Sequence, residues 1–233
     1  MKRMLALLLV FVAALSVPGI ALSVDKPIFP KDSVVELTGV IQGMGAIEVA
    51  NRIVAVSAIQ DVNIVINSPG GQVTVGQFIL NAIDLAHGRG RKVSCYVTGM
   101  AASMAFQVYA YCDKRYALRH ALLLWHPVKV VAGNQPLRSQ DAQDLADDLK
   151  RVEHHLTEEL IARLHIPRNV FFYHYQHETL FLATELVALA PDFMQAIDYV
   201  PGVKDLTPIS QQNMFDFYTA HEGEIVFIGN VAQ

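Results

Sequence analysis

Cysteine, tryptophan and charge are all scarce in this chain. Its 233 residues include two cysteines and one tryptophan, and only 17% are charged. Neither Cys95 nor Cys112 has a second cysteine at C-x-x-C spacing, so no zinc-type centre is expected and no metal. Lys and Arg number 18 against 22 Asp and Glu, a net charge of -4. No basic run interleaved with aromatics occurs, which excludes the electrostatic footprint of a nucleic-acid binder. Internal sequence repeats and low-complexity tracts are absent as well, which excludes a solenoid or propeller array. The longest apolar run, residues 4–17, has 14 residues. That is short of the ~20 that a membrane-spanning helix needs.

What is abundant is apolar material, at 52% of the chain, enough for a sizeable core and too much for a disordered segment. The start of the chain has a different character. Lys2 and Arg3 precede "MLALLLVFVAALSV", interrupted only by Ser16, and Pro18, Gly19 and "ALS" (21–23) follow. A basic end, a short apolar stretch and small residues at a cleavage position predict a secretory signal over residues 1–23. The expectation is export to a periplasm or the exterior, with an uncleaved N-terminal anchor as the alternative. Cleavage would leave 16 Lys and Arg against 22 Asp and Glu, a net of -6. In an oxidising compartment Cys95 and Cys112 could pair; two packed thiols are the equal alternative, and neither is given a chemical role.

Residues 24–33 carry Pro27 and Pro30 and read as an irregular lead-in. Strand and helix patterns then alternate. Strands are expected over 34–39, 62–67, 93–97 and 121–125. One helix is expected over 46–59, with Ala50, Ile53, Val54, Ser57 and Ala58 on its buried stripe. The clearest helix repeats Val75, Phe78, Ile79, Ala82, Ile83 and Ala86 at the spacing of one buried face. A third apolar helix follows Gly99, over about 103–111. Strands alternating with helices imply an α/β fold built from parallel βαβ units. After the loop at 130–135, a helix is expected from Pro136 to His165, striped by Leu145, Leu149, Val152, Leu156, Leu160 and Leu164. At roughly 40 Å it exceeds what the sheet needs, so it is expected to project and bury its stripe elsewhere. Shorter elements over 171–190, "QAIDYV" and a terminal "EIVFIG" strand complete the pattern.

Three turns carry candidate chemistry. "VTGMAASMAF" (97–106) places one hydroxyl, Ser103, between a strand and the start of a helix, among small residues that leave space for a substrate. A hydroxyl there gains from unpaired N–H groups and the positive end of the helix dipole; the plainer reading is an N-cap serine. "INSPGG" (66–71) ends a strand with Gly70 and Gly71, which can expose backbone N–H groups to a developing oxyanion or simply make a tight turn. His126 follows the strand "ALLLW" directly and precedes Pro127, at the sheet edge where α/β proteins gather their sites.

In order and spacing, "INSPGG", "GMAASMA" (99–105) and the strand-borne "HP" (126–127) resemble the motifs of the Clp protease proteolytic subunit (ClpP) family. The resemblance runs from about residue 34 to 190. It implies the ClpP/crotonase-like α/β fold, a repeated ββα/βαβ core, with the long helix as a projecting handle. The corresponding organisation is a signal over 1–23, a peptidase domain over 34–206 with its handle at 136–165, and an extension over 207–233. Carried over by position, Ser103 is the nucleophile, His126 the general base and then acid, and Gly71 and Met104 the N–H pair of the oxyanion hole. The family's orienting aspartate falls in register with Glu178, with Asp192 or no third member as alternatives. The implied activity is serine-type endopeptidase hydrolysis of peptides or unfolded segments through an acyl-enzyme, with no cofactor, in a homo-oligomeric ring. The family is fed by an ATP-driven unfoldase; an exported chain would meet no ATP, so such a partner is not expected here. The alternatives are a catalytically silent assembly or binding protein of the same fold, and a signal-peptide-peptidase-like enzyme pairing Ser103 with Lys92 or Lys114. A crotonase-type acyl-CoA enzyme shares the fold but not the Ser103/His126 pair.

Overall fold

Short β-branched runs bounded by glycine, proline or serine form the sheet, and the helices between them cover it. The computed structural model describes residues 29–129 and 138–200. The expected leader (1–23), the terminal "EIVFIG" strand and the extension over 207–233 lie outside the described residues. A 3-10 turn at Lys31–Ser33 leads into β1 (Val34–Thr38). Then follow α1 (Gly43–Ala55), β2 (Val62–Ser68), α2 (Val73–Gly88), β3 (Val93–Ala102) and α3 (Met104–Tyr111). The second half comprises β4 (Lys114–Leu118), β5 (Leu122–Leu124), α4 (Ser139–Leu164) and α5 (Arg168–Gln176). It closes with β6 (Phe181–Leu182), α6 (Ala183–Leu189) and β7 (Gln195–Ile197).

The strand order is β1-β2-β3-β4-β7, all parallel, with β5 beside β3 and β6 antiparallel to β5. Every residue of β2 is buried, as expected for an inner strand of a parallel sheet. The main core lies between the sheet and α1, α2 and α3, with Ile53, Ile79, Ile83, Phe106 and Tyr109 fully enclosed. This is the α/β architecture of parallel strands and covering helices that the alternating pattern implies.

One feature of the sheet positions the site. β3 pairs with β4 through residues 94–97, then with β5 through residues 100–102. Against β2 its register jumps from Ile66↔Val97 to Ser68↔Ala101. The extra residues of "TGMA" bend β3 where it changes neighbour, as a bulge does. Ser103 is thereby delivered beside the end of β5, where His126 follows.

Several expectations shift. The first helix stops at Ala55, so Ser57 and Ala58 are exposed and outside it, and the stripe reduces to Ala46, Ala50 and Ile53. Arginine side chains explain the stop: Arg89 donates to Val54 O and Arg91 to Val56 O, carbonyls at the helix end that need donors. On α2 the buried face includes Gly76 and Leu80, while Phe78 is 52% exposed. Gly76 faces the core because the Met104 side chain lies where its Cβ would be. β4 was not expected from "KRYAL"; its Arg115 is accommodated by donating to the carbonyls of Phe193 and Cys112. On α4 only Leu156, Thr157, Leu160 and Leu164 are buried, and Leu145 is exposed. The first half of the long helix therefore leaves its apolar stripe off the core. Of the two alternatives for Cys95 and Cys112, the structure has the disulfide. It ties β3 to the end of α3, with Ser103 midway between them in sequence.

Candidate active site

Ser103 is the one residue between β3 and α3. Its backbone is held on three sides: its N–H donates to Leu124 O at 2.9 Å, and its carbonyl accepts from Phe106 and Gln107 N–H at 3.0 and 3.1 Å. Its φ of 55° and ψ of -126° lie in a region L-residues rarely occupy, at a cost of about 1–3 kcal/mol. Although it occupies the N-cap position, its side chain makes no capping bond. The plain N-cap reading thus loses its physical content. The hydroxyl is presented by a strained turn rather than spent on the helix.

The strain is enforced from beneath by "SPGG". Buried Ser68 donates to Gly39 O at 2.6 Å and accepts from Gly70 N–H at 3.1 Å, locking the end of β2 to the end of β1. A Cβ on Gly70 would meet Ala102 O at 2.4 Å and Ser103 Cβ at 2.6 Å, so only glycine lets this turn press on the serine elbow. Gly71 forms a parallel bridge with Ile41, in which Gly70 O accepts from Ile41 N–H and Ile41 O accepts from Gln72 N–H. Alternation along that bridge directs the N–H of Gly71 away from Ile41. Met104 opens α3, so its N–H is one of the donors that a helix start leaves without an intrahelical acceptor.

Ser103, Met104, Gly71 and His126 line one cleft of about 240 Å³. His126 stands two residues beyond β5, and both of its ring nitrogens are shielded from solvent. Its neighbour Trp125, only 2% exposed, forms a rigid wall, stacked on Phe106 at 5.2 Å and Phe181 at 5.0 Å. Leu156 and Leu160 of α4 and Tyr175 of α5 face the same space. A hydroxyl, an imidazole and two backbone donors on one cleft are the parts that acyl transfer requires. Among the described residues, no three or more His, Cys, Asp or Glu side chains are grouped to hold a metal ion.

The other candidates fall as follows. Glu178 follows the end of α5 with a φ of 47° and does not line the cleft. Its carboxylate closes on Lys129, at 2.8 Å to one oxygen and 3.1 Å to the other. Asp192 lies in a separate groove with Lys114 and Arg115, away from Ser103. Lys92 pairs with Asp113 at 3.4 Å. Neither Lys92 nor Lys114 lines the cleft, but Lys129 does. Sequence reasoning missed Lys129 and Tyr175. The first stands only three residues after His126, which was the available signal. Tyr175 donates to Glu153 Oε1 at 2.6 Å, and Val128 lines the cleft with it. Burial first, then the Glu153 carboxylate, push this phenol far above its usual range, so it stays neutral. Burial holds the His174 imidazole below its ordinary pKa, with His177 adding to the effect.

Comparison with known proteins bears on this geometry. The ATP-dependent Clp protease proteolytic subunit 1 of Mycobacterium bovis is 38% identical over 97 residues, covering 37% of this chain and 47% of the relative. The same-named subunit of Mycobacterium leprae is 40% identical over 83 residues, 34% of this chain and 40% of the relative. Proteolytic subunit 2 of Mycolicibacterium paratuberculosis is 37% identical over 97 residues. The chain spans about half the length of the curated relatives it matches. The model of the Clp protease family covers much more, matching residues 27–189, a stretch that includes the serine elbow, the "SPGG" turn and His126. With that match and this sheet, the chain belongs to the Clp protease family.

Proposed function

We propose that the protein is an exported serine endopeptidase acting on peptides or unfolded segments. The observation that carries the reading is the unspent hydroxyl of Ser103, held in strained backbone on the cleft that His126, Gly71 and Met104 also line. In the proposed reaction Ser103 Oγ attacks the scissile carbonyl carbon while His126 takes its proton. The carbonyl oxygen gains negative charge and is held by the N–H groups of Gly71 and Met104. As the C–N bond breaks, His126 returns the proton to the leaving amine. Water, activated by the same imidazole, then hydrolyses the acyl-enzyme.

Export rests on the leader pattern at residues 1–23, and the Cys95–Cys112 bond is of the kind that persists in an oxidising compartment. The relatives are named ATP-dependent. This chain, in a compartment without ATP, is proposed to work without an unfoldase, on substrates that arrive already extended. The apolar stripe on the first half of α4 supports a homo-oligomer in which that helix packs against neighbouring subunits. The test is hydrolysis of an unstructured peptide by wild type and Ser103→Ala. Turnover that disappears in the variant is expected; equal turnover would end this reading.

A further inference from the structure

The segment carrying His126 meets the C-terminal end of α5 at the cleft, where an ion pair ties the two together. Lys129 reaches Glu178 with both carboxylate oxygens within 3.1 Å, and the two side chains are 32% and 20% exposed. One residue earlier, Val128 lines the cleft together with Tyr175, whose hydroxyl donates to Glu153 of α4. Lys129 lines the cleft alongside Ser103 and His126, whereas the acid in register with the family's orienting carboxylate stands behind it. Glu178 has one methylene more than aspartate and sits in left-handed backbone, so its carboxylate needs a second restraint to keep a fixed place.

We propose that Lys129 is a positioning residue for His126: it fixes the Glu178 carboxylate against the 126–129 segment, so that an ion pair, rather than a lone acid, sets the imidazole's place and local field. This rests on the peptidase reading above. The charge arithmetic follows from proximity. While paired, Lys129 and Glu178 nearly cancel at the imidazole. Removing the lysine leaves an uncompensated anion, which favours the imidazolium; removing the carboxylate leaves a cation, which disfavours it. Among the described residues, the neighbouring titratable and hydroxyl groups include Tyr175 and His174 of α5, Glu153 of α4 and Ser103, and all are retained in both variants.

The experiment is a ring-proton NMR titration of the full-length protein, with the His126 signal assigned by its loss in His126→Gln. The variants are Lys129→Met, Glu178→Gln, the double variant and Lys129→Arg. Lys129→Met should raise the His126 midpoint by about half a pH unit and Glu178→Gln should lower it by a similar amount, the order expected when one nearby unit charge, partly screened by water, is left uncompensated. The double variant should return toward wild type, and Lys129→Arg should leave it in place. Peptide turnover should fall about tenfold in each single variant, mainly in kcat, and be retained by Lys129→Arg. An unmoved His126 in both single variants, or shifts of the same sign, overturns the proposal. Should Lys129→Met not fold, Lys129→Gln carries the same charge change. If wild type neither turns over peptide nor forms a phosphonyl adduct, the peptidase reading fails instead, and the titration still decides whether the pair governs His126.

Discussion

The cleanest structural perturbation is Gly70→Ala, because it adds one methyl group directly against the serine elbow. Two costs follow. At a φ of +94° an alanine is strained by about 1–2 kcal/mol. In addition, the new Cβ would lie 2.4 Å from Ala102 O, 2.6 Å from Ser103 Cβ and 2.9 Å from Met104 N, atoms that cannot swing aside as the end of a flexible side chain would. Forced shifts of this kind cost about 1–3 kcal/mol. The sum, about 2–5 kcal/mol, would lower a urea midpoint by about 1–2 M at an ordinary denaturant slope. Gly90→Ala isolates the first cost, since Gly90 has a φ of +74° and a Cβ there would meet nothing within 4 Å. The sole tryptophan, Trp125, is buried beside the site and reports unfolding by fluorescence. Both variants should be unfolded at one protein concentration and their folded forms then tested for fluorophosphonate labelling. Gly90→Ala should lose about 1 kcal/mol and label like wild type. Gly70→Ala should lose clearly more and label about a hundredfold more slowly, because the hydroxyl and its neighbouring amide are displaced together. Equal stability of the two variants, with wild-type labelling in both, would refute the claim that the "SPGG" turn shapes the elbow.

Three further outcomes are expected. Opening the Cys95–Cys112 bond with a reductant should lower stability by about 3 kcal/mol, the chain-entropy value for a closed loop of 17 residues' separation; an unchanged urea midpoint would contradict it. Burial raises the Asp113 carboxyl, but the Val93 N–H, His87 and Lys92 outweigh it and hold the group below its ordinary range. The resulting stability is present above the unfolded carboxylate's pKa of about 4 and is lost as pH falls from there through the lower folded-state value, so the gap between wild type and Asp113→Asn, about 1 kcal/mol for a part-exposed group, should narrow steadily as pH falls below about 4. A gap that stays constant with pH would contradict this. Tyr175→Phe removes the hydroxyl that ties this wall of the cleft to Glu153; a loss of about 1–2 kcal/mol in urea unfolding and severalfold slower phosphonylation are expected, and no change in either would show that this hydrogen bond does not support the cleft.

Much of this site was legible because its parts are local. "INSPGG", "GMAASM" and "HP" each mark a strand end, and a parallel sheet brings consecutive strand ends to one edge. Other features depend on partners far away in the chain. The unusual backbone of Ser103 comes from Gly70 beneath it and Leu124 beside it, and neither contact is encoded in the spacing around the serine. Register placed Glu178 near the site but gave no hint that Lys129, 49 residues earlier, would hold its carboxylate. Phe78 fits an apolar stripe on α2 as well as its neighbours do, and only the packing of Met104 against Gly76 turns the helix to leave it exposed. β4 escaped notice because charged residues obscure a strand whose Arg115 is satisfied by carbonyls of other elements. The disulfide needed the bend of β3 to bring Cys95 to the end of α3, a distance that composition alone leaves open.

The central claim is that His126 activates Ser103. Intact-mass analysis after exposure to a fluorophosphonate, followed by peptide mapping, tests it most directly. One phosphonyl group per chain, carried on Ser103 in wild type, absent in Ser103→Ala and at least a hundredfold slower to form in His126→Gln, is the predicted result. An unlabelled wild type, or an adduct that forms equally fast without the imidazole, would contradict it.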